Sequence, residues 1–249
     1  MIRNPLGARG VAAEAAIARL CLESLPAMEL FERAAGPLRR VVPYSAGCWK
    51  TVDPRTLLYT GFGIEDGLTG TLTAARWRFI DNELLEPDYG KYHELARRPT
   101  PVSTLHRDTH GEPGRSSRYR NIHRSLGFGA ELRAVFRAGG ESWGHVALIR
   151  GENQPDFSDQ EVAFIARVGA HLAREREVAG LLTRGASNEE IAQALWISRH
   201  TVKDHVKAVY AKLKVAGRAE LSAKLFQEHI APRLDSKTIR EFGPAGLAR

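Results

Sequence analysis

The stretch NEEIAQALWISRHTVKDHV, residues 188–206, holds two apolar runs at helical spacing with only a short break between them. Ile191, Ala192 and Leu195 form the first run, and Val202 and Val206 continue into the second. Ala192 is small where two helices must approach closely. Ile197 plugs the turn, and Ser198 is placed to accept the free N–H groups of the helix that follows. The pattern predicts a helix over 188–195, a tight turn and a second helix over 199–213, which together make a helix-turn-helix. On the second helix, Arg199, His200, Lys203, Asp204 and Lys207 share one side, while Val202, Val206, Val209, Tyr210 and Leu213 share the other.

Charge follows the same division. Residues 1–170 hold 22 basic and 20 acidic side chains, a net of +2, and residues 171–249 hold 14 and 9, a net of +5. Residues 199–218 alone carry Arg199, Lys203, Lys207, Lys212, Lys214 and Arg218 against Asp204. A dense positive stretch attracts polyanions, although a solvated helix face with no partner has the same composition. A helix held rigidly outward can fill a major groove, with its N-terminal N–H groups facing a phosphate. Lys203 and Lys207 can then reach acceptors on guanine, and Asp204 can accept from the cytosine amino group.

Residues 174–221 resemble the LuxR-type helix-turn-helix domain of the LuxR/FixJ/NarL superfamily. The resemblance rests on REREV (174–178), GASNEEIAQAL (185–195), ISRHTVKDHV (197–206), KL (212–213) and Arg218 before AEL. It implies base reading by Lys203, Asp204 and Lys207, with Arg199 and His200 on the same face. It implies backbone contacts from Ser198, Thr201 and Lys212, and dimer contacts from residues 218–229. A homodimer on double-stranded DNA with an inverted-repeat site follows from that resemblance. Two features depart from the family pattern. The Leu-Thr-Pro opening is replaced by His171, Leu172 and Ala173, so a helix starting near Ser158 has no proline to stop it before about Thr183, and the sequence leaves open whether 158–183 is one continuous helix. Asp204 places an acid among the base-reading positions.

The region before it is of a different kind. Helices are predicted over 11–25 and 26–40, strands over 44–52 and 56–62, and a helical segment over 71–97 interrupted near Pro87. A loop over 99–117 and two strands, 130–138 and 142–150, follow, the strands joined at Gly139-Gly140 as a hairpin. This order, and the segment SRYRNIHRSLGFGAELRAVFRAGGESWGHVALIRG (117–151), resemble GAF-type sensor domains. The expected architecture is therefore α+β: an antiparallel sheet flanked by helices in residues 1–170, an all-α four-helix domain in 171–232, and a tail in 233–249. The resemblance implies a small-molecule or partner surface in the first domain. Trp49, Tyr59, Phe62, Trp77, Tyr92 and Trp143 are candidate pocket walls, the alternative being that they are core aromatics.

Composition narrows the remaining classes. The chain has 249 residues, 43% hydrophobic and 26% charged, which provides for packed cores rather than disorder. No apolar stretch reaches the eighteen or so residues that a membrane span needs. Arg3, Arg9, Glu14 and Arg19 interrupt any signal-peptide stretch, and Cys21 and Cys48 are too few for a disulfide framework, so a cytoplasmic protein is expected. No phosphate-binding glycine loop, nucleophile elbow or paired carboxylates occur, so no catalytic residue, cofactor or metal is assigned. His93, His106, His110 and His123 keep one alternative open, a metal-dependent enzyme built on the histidine-containing loop. A protein-interaction module that no longer binds DNA is the other.

Overall fold

A computed structural model describes residues 6–23, 25–54, 56–65, 69–138 and 140–225. The chain divides into two compact units, Met1–Glu177 and Val178–Arg249, where the sequence reading drew the boundary at 170/171. The tail over 233–249 lies outside the described residues.

The first unit is built on a five-stranded antiparallel sheet: β1 (Ala46–Val52), β2 (Tyr59–Glu65), β3 (Val102–Thr104), β4 (Phe128–Ala138) and β5 (Glu141–Gly151), in the order β2-β1-β5-β4-β3. The β4–β5 hairpin pairs Ala138 with Glu141, and Gly140 at φ 85° supplies the left-handed residue of its turn. β3 falls inside the stretch read as a loop. It has three residues and follows Pro99 and Pro101, a composition tolerated only at a sheet edge, which is where β3 lies.

Strand alternation gives the sheet two unlike faces. One face carries Trp49, Ala130, Leu132, Ala134, Phe136, Val146 and Leu148 into the main apolar core. That core is closed by α1 (Gly7–Leu20), α2 (Ala27–Arg39) and the buried residues Val162, Phe164, Ile165, Val168 and Leu172 of α6 (Asp159–Thr183). The other face carries Cys48, Lys50, Glu131, Arg133, His145, Ala147 and Ile149. It packs under α3 (Thr69–Leu85), α4 (Tyr92–Leu95) and the turns over Tyr119–His123 and Arg124–Leu126. A further short helix, α5 (Leu105–Asp108), follows β3. The continuity of 158–183, which the sequence leaves open, is resolved as one helix, α6, of 25 residues or about 38 Å.

The second unit is helical. α7 (Asn188–Leu195), α8 (Arg199–Leu213) and α9 (Arg218–Leu225) surround a core of Val178, Leu182, Ile191, Ala192, Val202, Val206, Val209, Val215 and Leu221. The mixed helix-and-sheet first unit and helical second unit are the α+β architecture that the pattern predicts. Among the described residues, no helix is long and apolar enough to cross a membrane.

Candidate functional site

The helix-turn-helix is fixed by local chemistry at both ends of each helix. Ser187 and Glu190 form a reciprocal capping box: the Glu190 N–H donates to Ser187 Oγ at 3.2 Å, and the Ser187 N–H donates to Glu190 Oε2 at 2.7 Å. α7 ends at Trp196, which takes the left-handed conformation (φ 52°, ψ 44°), and the Ile197 N–H closes back on the Ala192 carbonyl at 3.1 Å. Ser198 then caps α8, its Oγ accepting the Thr201 N–H at 3.0 Å. α8 closes at Lys214, also left-handed, with the Val215 N–H on the Tyr210 carbonyl at 3.0 Å.

Packing then orients α8. Val202 is fully buried and Val206 and Val209 are buried beside it, against Ile191 and Ala192 of α7. His205 is buried on the same side. The opposite side carries Arg199, His200, Lys203 and Lys207, all exposed, with Thr201 and Asp204 half-buried at its margin. α9 is tied to the rest of the unit by polar contacts and one apolar anchor. Arg218 Nη1 donates to the Ala186 carbonyl at 2.6 Å, Lys224 Nζ donates to the Leu213 carbonyl at 2.8 Å, and Leu221 is fully buried. The side chain of Lys212 and residues 226–229 of the expected dimer segment lie outside the described residues.

The exposed charges are not equivalent. Arg199 forms an ion pair with Glu189 of α7, and His200 Nε2 lies 3.5 Å from Asp204 Oδ2 one turn on. Among the described residues, no carboxylate lies within 4.0 Å of Lys203 or Lys207. Two adjacent cations one turn apart are therefore uncompensated on the outward stripe. Asp204 is occupied locally, by a histidine on its own helix.

The polar face of the sheet in the first unit is the second concentration of chemistry. Arg118, 1% exposed, donates from Nε to Glu131 at 2.9 Å, from Nη1 to Asn82 Oδ1 at 3.3 Å and from Nη2 to the Tyr89 carbonyl at 3.2 Å. Asp88 accepts the Arg118 and Tyr89 N–H groups at 2.6 and 2.8 Å. Arg133 pairs with Glu83 at 2.8 Å, and its guanidinium lies 3.9 Å from the Tyr92 ring centroid. Lys50 Nζ donates to the Tyr92 hydroxyl at 3.0 Å, and the His145 ring stacks on the Tyr92 ring at 4.1 Å.

Burial alone would raise the Glu131 carboxyl, but Arg118 and Arg133 override it and hold it down to about 2. Burial lowers His123 to about 4 despite the opposing pull of Glu131. Burial, reinforced by Lys50 and Arg133, holds His145 far below the ordinary imidazole range.

A cavity of about 40 Å³ opens on this face, lined among the described residues by Tyr59, Phe62, Ile64, Phe79 and Ile80 and by the charged side chains Lys50, Arg76, Glu131 and Arg133. Of the six aromatic candidates, Tyr59 and Phe62 line it and Tyr92 stands behind Lys50. The other three lie elsewhere. Trp49 points to the opposite face, stacked on Phe31 at 5.4 Å and close to Phe136 at 6.1 Å. Trp143 packs against that same core with its indole N–H on the Ala138 carbonyl at 3.2 Å. Trp77 is 63% exposed on α3.

The charged lining was missed by the sequence reading. Its signal is present as Glu131 and Arg133 two apart on one strand, a spacing that puts both on the same face. Of the histidines, His106 Nδ1 lies 3.7 Å from Asp156, and His123 is buried near Glu131. Among the described residues, no group of three metal-ligating side chains comes together.

Residues 173–224 match the family model described as bacterial regulatory proteins, luxR family. A putative HTH-type transcriptional regulator in the exeN 3′ region of Aeromonas salmonicida is 42% identical over 98 residues, which cover 36% of this chain and 50% of that protein. The monoamine regulon transcriptional regulator of Klebsiella aerogenes is 46% identical over 52 residues, 21% of this chain and 23% of that one. The uncharacterised transcriptional regulatory protein YhcZ of Bacillus subtilis is 51% identical over 73 residues, covering 29% and 31%. The matched segment thus spans half or less of each relative. Escherichia coli SdiA, a solved structure, aligns over 81% of this chain and 90% of its own at 15% identity with a TM-score of 0.35, a level at which nothing further is read from it.

Proposed function

We propose, on the premise that residues 173–224 form a luxR-family domain, that this protein is a DNA-binding transcriptional regulator and not an enzyme. It acts in the cytoplasm as a homodimer on an inverted-repeat site, and a small molecule or partner bound at its first, GAF-like unit controls it. One observation carries the reading: the stripe of α8 opposite Val202, Val206 and Val209 presents Lys203 and Lys207 to solvent with no carboxylate within 4.0 Å of either among the described residues. A helix anchored by one side and charged on the other is the shape that enters a major groove. A two-fold dimer presents two such helices, so its site repeats in inverted orientation.

The relatives' descriptions as transcriptional regulators support the same class. The buried ionic face and cavity of the first unit support the presence of a ligand-responsive element there. The test is fluorescence anisotropy of the full chain with duplexes selected from genomic DNA. Binding that falls steeply as salt rises, with a site of two inverted halves, is the expected result. A flat salt response, or equal affinity for every duplex, overturns it.

A further inference from the structure

Trp196 stands in the turn of the helix-turn-helix and is 94% exposed, more than any other large apolar side chain among the described residues. A single apolar side chain at a surface is ordinary. This one is unfavourable twice over. Its indole is left in water, and its backbone holds the left-handed conformation (φ 52°, ψ 44°), which Gly or Asn adopts with less strain. The core of the second unit does not explain it: the flanking Leu195 and Ile197 pack against that core, and Trp196 between them does not.

Its position indicates what covers it. Two peptide links separate Trp196 from Ser198, so their Cα atoms lie within about 7 Å of each other. Ser198 caps α8 at its N-terminus, ahead of the exposed Arg199, His200, Lys203 and Lys207. When such a motif docks, the first helix crosses the backbone of the duplex and the N-terminal residues of the second reach the base edges. The turn between them then lies over the rim of the groove, among sugars and phosphates. The cations and the helix N-terminus suit the phosphates, and the deoxyribose is what the rim offers to a flat apolar ring. An apolar protein partner would have to meet the same dense positive charge, which favours a polyanion.

We propose that Trp196 is a DNA-contact residue, its indole laid on a deoxyribose at the rim of the groove. The contact adds affinity that is independent of sequence, because every nucleotide carries the same sugar, and independent of salt, because an uncharged ring releases no counterions. It rests on the reading of the chain as a DNA-binding regulator and extends it to an uncharged contact outside the stripe of α8.

The experiment uses the full chain and three variants, Trp196→Gly, Trp196→Asn and Trp196→Phe, titrated by anisotropy against the selected duplex and an unrelated one at several salt concentrations. Gly and Asn both suit the left-handed backbone, so both variants are expected to fold, with melting temperatures at or above that of the unmodified protein. Both are expected to lose about fivefold or more in affinity on the two duplexes alike, with the salt slope unchanged, and Trp196→Phe to recover most of the loss. In the unmodified protein, bound duplex should shield tryptophan emission from acrylamide, and that shielding should disappear in Trp196→Gly. Wild-type affinity in Trp196→Gly and Trp196→Asn overturns the proposal and leaves DNA binding standing. A loss confined to the selected duplex overturns the sugar assignment, and a flattened slope shows that the loss runs through displaced lysines and overturns it likewise. Absence of shielding shows that the turn faces away from the duplex. An unmodified chain that binds neither duplex overturns both this contact and the DNA-binding reading.

Discussion

Lys203 and Lys207 should dominate the electrostatics of DNA binding, and the structure sets the order in which the exposed residues of α8 matter. Among the described residues neither lysine has a carboxylate within 4.0 Å, whereas Arg199 must give up its pair with Glu189 before it can serve a phosphate or a base. Replacing Lys203 by Ala removes a contact worth about 1–3 kcal/mol per half-site, roughly a 5- to 150-fold loss for each of the two halves a dimer reads. If either lysine instead neutralises a phosphate, each counts twice in a dimer. Its loss then flattens the log–log dependence of affinity on salt by about 1.8, at about 0.9 per phosphate.

Anisotropy titrations at several salt concentrations, on the selected site and on an unrelated duplex, separate the two cases. Base reading lowers affinity for the specific site and leaves the slope unchanged, while phosphate contact lowers both duplexes together and flattens the slope. Arg199→Ala should cost less than either lysine, and Glu189→Gln should strengthen binding by releasing Arg199. A Lys203→Ala, Lys207→Ala double variant that binds both duplexes with wild-type affinity and slope would refute the reasoning outright.

Acid should destabilise the first unit early. His123 titrates at about 4 in the fold against an ordinary 6.5, so its neutral form contributes stability that is complete above about pH 6.5. That contribution, on the order of 3 kcal/mol, is lost as pH falls through about 4. Glu131 adds a second loss between its ordinary 4.5 and about 2; a melting temperature that stays flat from pH 6.5 down to 4 contradicts the first loss, and one that stays flat from 4 down to 2 contradicts the second. Trp196→Gly should stabilise the second unit by up to about 1 kcal/mol, because a side chain in the left-handed region is strained and this one is 94% exposed, with little packing to lose; denaturant unfolding checks it. Glu131→Gln should destabilise the first unit by about 3–5 kcal/mol, since Arg118 and Arg133 would stay buried with their shared counter-charge gone, and unchanged unfolding would show that the pairs are not formed.

The helix-turn-helix was legible because its determinants are local. Ile191, Ala192, Val202 and Val206 lie within one short stretch, and the Ser198 cap is adjacent to the helix it starts. The first unit was less legible, for reasons that lie in particular residues. β3 is three residues beside two prolines, a pattern that reads as loop until β4 is there to pair with it. Trp49 was grouped with Tyr59 by residue type, yet it stands one position from Lys50 and so faces the other way. Trp77 lies on α3 where periodicity did not separate the outward face. The charged residues of β4 were given no role, because a strand alternates charged and apolar residues in the same way whether its polar face meets water or a second polar layer. The buried pairings of Arg118 with Glu131, from a turn thirteen residues earlier, and of Arg133 with Glu83 of α3 show which of the two it is.

The linked chain Asp88–Arg118–Glu131–Arg133–Glu83 also bears on how this sequence can change over time. Each member answers for the charge of the next, so a replacement tolerated alone on a surface helix here strands a neighbour. Divergence at these five positions should therefore come in matched steps rather than singly, and the cluster should be inherited as a block while the loops around it drift.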